Sequence, residues 1–291
     1  MGTAPFAVPS LRALHHAGHR ILLVVTQPDR PGHRLRLTPP AVRVAADELG
    51  LPVFQPERIR APESVARLAA LAPELIAVVA YGQLIPRAVL EIPARGVLNV
   101  HASLLPRHRG AAPVNHAILT GDRVTGVTIM RMDEQLDHGP VLAVRETEVG
   151  PREDAAALAE RLAAAGAELL IETVGRLGEL APVEQDHASA TLAPKLARED
   201  GELEWTLPAV EIDRRVRGLQ PWPGATLPLA GSRVKVLRGR PLDGAGQPGT
   251  VLRSGRDGVE VAAGNGSYLV EEVQPPGRRP MPARTLVAAR A

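Results

Sequence analysis

With 291 residues, 45% of them hydrophobic, the chain is long enough for one large domain or two ordinary ones, and 2% aromatics leave a core built from Ala, Val, Leu and Ile. Cysteine is absent, which excludes disulfides and thiolate-bound zinc and fits a reducing cytoplasm. The net charge of +2 is uneven: from Trp205 onward 13 Lys or Arg face 7 Asp or Glu, a balance of +6, against −4 for the rest.

The opening MGTAPFAVPS lacks the basic-then-apolar layout of a signal peptide. No apolar run approaches ~20 residues, so no membrane span is expected. FAVPSLRALHHAG predicts a helix, RILLVVTQ a strand, and PAVRVAADELG a helix ended by Gly50. PVFQ reads as a short strand, PESVARLAALA as a helix, LIAVVAY and GVLNVHAS as strands, and APVNHAILTG as a helix. Short, continuously apolar strands between helices predict an α/β fold with a Rossmann-like, largely parallel sheet buried on both faces. Ligands bind such sheets beyond the carboxyl ends of the strands, where Gln83, Asn99 and His101 fall.

VTGVTIMRM and GPVLAVRETEV then form two strands around the turn MDEQLDHGP. The longest helical pattern follows, EDAAALAERLAAAGAELLIETVGRL, with Leu158, Leu162, Ala165, Leu169 and Leu177 along one face. Residues 181–204 show no sustained period and read as a linker between a domain at 1–180 and another at 205–291. After Trp205 one helix, PAVEIDRRVRGLQ, precedes the break PWPG. ATLPLA, SRVKVLRG, GTVLRS, GVEVAA and SYLVEEV are short strands separated by turns, as expected of a small β-barrel or sandwich.

The chemistry concentrates at NVHASLLPRHRG, residues 99–110, and at Asp137. Period-2 geometry puts Asn99 and His101 on one face at the end of their strand. An amide donor and an imidazole can hold a developing oxyanion, and a carboxylate can orient the imidazole or help remove an amine's proton. The plainer alternative is three polar groups satisfying nearby loop backbone. PDRPGHRLRL presents Arg30, Arg34 and Arg36 either as an exposed surface loop or as a basic arm that orders against a nucleic-acid backbone. The basic C-terminal third likewise suits a polyanionic partner or an ordinary solvated surface. GAGQPG at 244–249 matches a dinucleotide fingerprint by pattern alone; a Pro-bearing loop between strands makes it a hairpin connection. His15, His16 and His19 lack an accompanying carboxylate cluster and read as a solvated helix end, so no metal site is assigned.

GVLNVHASLLPRHRGAAPVNHAI closely resembles the core of the methionyl-tRNA formyltransferases, within the folate-dependent formyltransferase superfamily. The resemblance extends through GTAPFAVPSL, VTQPDRP, GLPVFQPERIR, AYGQLIP, MRMDEQLDHGPVL and LQPWPGA. It implies formyl transfer from 10-formyltetrahydrofolate to the amino group of initiator methionyl-tRNA, for translation initiation, by a cytoplasmic monomer. It further implies catalytic roles for Asn99, His101 and Asp137, and a folate site at Ser103, Leu104, Leu105 and Pro106 with Gln83, Leu84 and Ile85. The loop with Arg30, Arg34 and Arg36 resembles the family's tRNA-contacting insertion, and the C-terminal part an OB-like barrel that holds tRNA. Rival readings are a sugar formyltransferase with an amino-sugar acceptor and a non-catalytic tRNA-binding protein.

Three departures from the family pattern carry expectations. The chain opens at MGTAPF where relatives have a preceding buried strand, which predicts a start assigned too late, or else a lost central strand and part of the folate-site floor. Gln135 replaces a common Gly and would strain the folate loop if the position required positive φ. His138 replaces a common Thr and is expected to put a second titratable group beside Asp137.

Overall fold

The apolar runs of the first half become short buried strands, and the segments between them become helices. The structure is a computed structural model that describes residues 1–31 and 37–288. A 3-10 turn at Pro5–Ala7 leads into α1 (Val8–His16), with prolines in the first turns, where a missing N–H is tolerated. β1 (Val24–Val25) is followed by the antiparallel pair β2 (Arg30–Pro31) and β3 (Leu37–Thr38). Arg34 and Arg36 lie outside the described residues. α2 (Ala41–Glu48) ends before Gly50, whose φ of +66° takes the left-handed exit. β4 (Val53–Phe54) pairs with β1 in parallel. The ladder is bounded by the Val24 N–H donating to the Pro52 carbonyl at 2.8 Å and the Thr26 N–H donating to the Phe54 carbonyl at 3.0 Å.

α3 (Pro62–Ala70), β5 (Ile76–Val78), α4 (Arg87–Leu90) and β6 (Val97–His101) follow, and β5 and β6 are parallel neighbours. β7 (Arg109–Gly110) and α5 (Pro113–Thr120) precede a hairpin of β8 (Val124–Arg131) and β9 (Val141–Glu148). β6 pairs antiparallel with β8, so the sheet runs β5-β6-β8-β9. The expected sheet is parallel at β1–β4 and β5–β6 and finishes on an antiparallel hairpin, a common edge for such sheets. Gly2 bridges the two strand groups, donating to the Val25 carbonyl at 2.9 Å and pairing in parallel with Val79.

α6 (Ala155–Gly175) is the long predicted helix; Leu158, Leu162 and Leu169 are buried on the expected face, Ala165 is half-buried, and Leu177 is buried just beyond the helix end. At Gly166 a Cβ would stand 2.8 Å from Cγ1 of Val100, so the helix lies against β6 where it has no side chain. Residues 1–110, 124–148 and 159–193 form one compact unit; residues 111–123, 149–158 and 194–291 form the other. Within the first, Val25, Ile59, Leu68, Ile76, Val78, Tyr81, Ile85, Val89 and Val97 pack as a core. The stretch 181–204, read as aperiodic, contributes β10 (Leu192–Ala193), which pairs in parallel with β7.

In the second unit α7 (Ala209–Gly218) packs beside α5, with the Asn115 amide donating to the Gly218 carbonyl at 2.7 Å. β11 (Ala225–Leu229), β12 (Ser232–Leu242), β13 (Val251–Gly255), β14 (Gly258–Ala262), β15 (Ser267–Gln274) and β16 (Met281–Pro282) form one sheet. Its order is β11-β12-β15-β14-β13, with β16 against β15, and every pairing is antiparallel. α8 (Ala283–Ala288), unpredicted, packs Leu286 into the core with Trp205, Ile212, Val234, Val261 and Tyr268. The GAGQPG segment joins β12 to β13 as a strand-to-strand loop. Among the described residues no helix is long and apolar enough to cross a membrane.

Candidate active site

β6 is buried along its whole length and brings Asn99 and His101 to its carboxyl end. The two side chains are 9% and 5% exposed, so any ligand meets them in a largely desolvated setting. Asp137 arrives from the β8–β9 turn with φ +48°, a left-handed value that Asp tolerates better than most residues. Its Oδ2 accepts the Gly110 N–H at 2.8 Å and stands 3.6 Å from His101 Nδ1. Its Oδ1 accepts from the Asn99 amide at 3.4 Å. The three side chains, 38 residues apart in sequence at their widest, therefore share one site.

The far edge of the imidazole is also fixed: His101 Nε2 lies 2.9 Å from the His108 carbonyl. A carbonyl only accepts, so Nε2 carries a proton. A neutral His101 then turns a lone pair toward Asp137, and an imidazolium turns an N–H toward it. The site can thus hold a proton between an imidazole and a carboxylate beside an amide donor.

The loop after β6 is tied down from below by Thr128, which lies opposite His101 on β8. Thr128 Oγ1 donates to the Ser103 carbonyl at 2.7 Å and accepts the Leu105 N–H at 3.2 Å. Ser103 is fully buried and its hydroxyl donates to the Arg107 carbonyl at 2.6 Å, so it shapes the loop from inside. Leu104, Leu105 and Pro106 are partly exposed. After β5, the Gln83 side chain turns toward residues 57–59, accepting from the Ile59 N–H at 2.9 Å and donating to the Glu57 carbonyl. Leu84 is 80% exposed, and Ile85 is buried. Because β5 and β6 are parallel neighbours, segments 83–85 and 103–106 leave the same end of the sheet.

Arg30 is exposed and donates to Gln27 at 3.0 Å. The base of its hairpin is anchored by Asp29, which accepts from Gln55 at 2.7 Å and pairs with Arg43 at 3.0 Å. The Gln55 hydrogen bond, aided by Arg43, holds the Asp29 carboxyl below its ordinary range. In the second unit Arg217, Arg233, Arg238 and Arg253 each have a carboxylate partner, so these four cations are paired locally.

Two sequence expectations change. His138 does not pair with Asp137: its Nδ1 is 2.6 Å from Asp133, and its ring stacks on His187 at 3.9 Å. Gln135 is not strained, because the left-handed φ in this turn belongs to Asp137. Sequence reasoning also passed over Arg109, Gln185, Thr191 and Thr128. The Thr191 hydroxyl accepts the His108 N–H at 2.9 Å, and its carbonyl accepts the Arg109 N–H at 2.8 Å. None of the four is marked out in the sequence by a period or by composition. Among the described residues no cluster of three or more His, Asp or Glu could hold a metal ion.

Residues 1–174 match the formyl transferase family, and residues 195–290 match the formyl transferase C-terminal domain. The methionyl-tRNA formyltransferase of Citrifermentans bemidjiense is 48% identical over 291 residues, covering 99% of this chain and 92% of that protein. The N-formyltransferase of Helicobacter canadensis, solved with folinic acid and dTDP-3-aminofucose, has a TM-score of 0.68 at 14% identity, over 92% of this chain and 96% of that one. HypX of Aquifex aeolicus, solved with tetrahydrofolic acid, has a TM-score of 0.61 at 21% identity, over 83% of this chain and 43% of that one. At these identities the two structures share the fold with this chain.

Proposed function

From the premise that this chain belongs to the methionyl-tRNA formyltransferase family, we infer the activity and the residues that perform it. It is a formyl-transferring enzyme that formylates the amino group of initiator methionyl-tRNA for translation initiation. The formyl donor is 10-formyltetrahydrofolate, which supplies the carbon to be transferred. The observation that carries the site assignment is the convergence of Asn99, His101 and Asp137 at the carboxyl end of β6.

Attack by the amine pushes negative charge onto the acyl oxygen. Asn99 has two amide hydrogens; one is directed at Asp137 Oδ1, and the other serves that oxygen. His101, with Nε2 committed to the His108 carbonyl, acts through Nδ1 as a cationic or proton-bearing neighbour of the same charge. Asp137 balances that cation and helps move the proton that the amine loses to N10 of the donor, so that collapse of the tetrahedral adduct breaks the formyl carbon–N10 bond and releases tetrahydrofolate. The two resulting roles, oxyanion donor and proton acceptor, need neither a metal nor a covalent enzyme intermediate.

The residues near the site suit a folate. Leu84, Leu104, Leu105 and Pro106 offer apolar walls, with Ile85 beneath, while Ser103 and Gln83 brace the two loops from inside. Backbone groups of 83–85 remain to meet a pterin ring. Residues 1–180 form the catalytic domain and 205–291 the tRNA-binding domain, and of the linker 181–204 the part up to residue 193 packs with the first unit. That last domain is an OB-like barrel whose +6 balance holds the tRNA backbone, together with Arg30, Arg34 and Arg36. The enzyme works in the cytoplasm as a monomer.

The test is formylation of charged initiator tRNA with 10-formyltetrahydrofolate, using elongator methionyl-tRNA as control. Selective product on the initiator is expected. Turnover of an amino-sugar nucleotide in place of tRNA would overturn the acceptor assignment, and no turnover of either would overturn the enzyme reading.

A further inference from the structure

Asp137 has an unusual backbone to maintain, with φ +48°, beyond the contacts its carboxylate makes. That main chain is held by a side chain 48 residues away. The amide of Gln185 donates to the Asp137 carbonyl at 3.0 Å and to the Gly139 carbonyl at 2.7 Å, using both of its hydrogens on the turn. Its oxygen accepts twice from Arg109, from Nε at 3.2 Å and from Nη2 at 2.6 Å. Gln185 and Arg109 are 7% and 8% exposed, so water cannot readily stand in for either.

A guanidinium has donors only, so Arg109 dictates which end of the Gln185 amide faces it, and the N–H end must face the turn. Arg109 is itself aimed by His187, whose Nδ1 lies 2.8 Å from Nη2. That geometry requires His187 Nδ1 to be the acceptor, with the ring proton on Nε2. His187 stacks flat on His138, the residue between the two carbonyls that Gln185 holds. Arg109 is also the residue before Gly110, whose N–H bonds to the Asp137 carboxylate. One side chain from an aperiodic segment thus ties the Asp137 turn to the loop that ends at Gly110.

We propose that Gln185, oriented by Arg109, is the positioning residue that fixes Asp137 for formyl transfer. This rests on the functional reading above. Without the tether the turn is free to relax from its left-handed conformation, and the carboxylate moves relative to His101 and Asn99. A displacement of about 1 Å at a reacting group lowers turnover on the order of 10²-fold, with little effect on substrate binding elsewhere.

Three variants of the full chain test this: Gln185→Met, Gln185→Glu and Asp137→Asn. Met keeps the length and removes every hydrogen bond. Glu keeps an oxygen acceptor for both Arg109 donors, turning that hydrogen-bonded anchor into an ion pair, but points its other oxygen at two carbonyl oxygens. Both are expected to lose kcat by roughly 10- to 100-fold. KM for tRNA and for the folate donor should change less than about threefold, because the tether acts on positioning and not on binding. In the free protein, the His101 ring ¹⁵N shifts of Gln185→Met should move toward those of Asp137→Asn.

Retention of wild-type kcat by either Gln185 variant overturns the proposal. So does a kcat loss confined to Gln185→Met and matched by a fall in its melting temperature, since that pattern describes support of the fold alone. If Gln185→Met does not fold, Gln185→Glu decides by the same criteria. The His101 signal needs no substrate, so it tests the tether even if the wild-type chain fails to formylate initiator tRNA, a failure that would count against the functional reading instead.

Discussion

Replacing Thr128 with valine isolates the bracing of the loop after β6. Valine keeps the shape of the side chain and deletes the hydroxyl that donates to the Ser103 carbonyl at 2.7 Å and accepts the Leu105 N–H at 3.2 Å. Thr128 is fully buried, so water cannot replace the lost oxygen at its own position. Each abandoned buried backbone group costs about 1–3 kcal/mol. Leu105 is partly exposed, so its N–H falls at the low end of that range and the Ser103 carbonyl nearer the middle. The expected destabilisation of the first unit is therefore about 2–4 kcal/mol. Part of that loss should surface as weaker binding of the folate donor, about tenfold for each 1.4 kcal/mol carried by the loop. Thr128→Ser restores the hydroxyl and gives up one methyl, at a cost of about 1 kcal/mol. Urea denaturation followed by circular dichroism measures the first quantity, and calorimetric titration with the folate measures the second. If Thr128→Val stays within about 0.5 kcal/mol of the wild type, the size expected of a change that touches nothing important, the loop is not held as described.

Further outcomes follow from other parts of the molecule. Asn99→Ala and Asp137→Ala should each lower kcat by about 10²–10³ while leaving tRNA affinity nearly unchanged, and near-normal turnover in either would refute its assigned role. Neutralising Arg34 and Arg36 should weaken tRNA use and flatten its salt dependence, by about one unit of slope for each phosphate no longer neutralised; an unchanged KM for tRNA would contradict the assignment. The chain has two tyrosines, and burial pushes Tyr81 up to about 12 and Tyr268 further still, with help from Asp213. Both folded-state values lie above the ordinary value of 10.0, so the folded state binds more protons than the unfolded one as pH rises from there to about 12. The stabilising contribution is whole below pH 10 and is lost through that window. Absorbance at 295 nm should therefore stay flat near pH 10 and rise with unfolding; one tyrosine titrating near 10 in a native-like protein would disprove the burial argument.

Much of the architecture is legible in the sequence because it rests on local pattern. Apolar runs mark the strands, helical spacing marks α6, and the change to short strands after Trp205 marks the second sheet. Alternation along one strand is enough to put Asn99 and His101 on the same face, and a motif brings Asp137 into view. Other features leave no such trace. Sequence proximity puts His138 beside Asp137, yet the turn directs it to Asp133 and onto the His187 ring. Whether Gln135 would need a positive φ could not be read from the sequence; in the turn that value falls at Asp137 instead.

What the sequence determined by itself is the class of fold, the order of its elements and the residues able to carry the chemistry, since these follow from periodicity and side-chain type. Tertiary structure alone decided how that chemistry is held in place. Gln185 reaches Asp137 across 48 residues and Arg109 across 76, and Thr128 reaches Ser103 across 25. Single polar contacts of this kind have no period and no composition to betray them. They exist because burial leaves backbone carbonyls and N–H groups without water, and the fold brings a side chain of the right length to each.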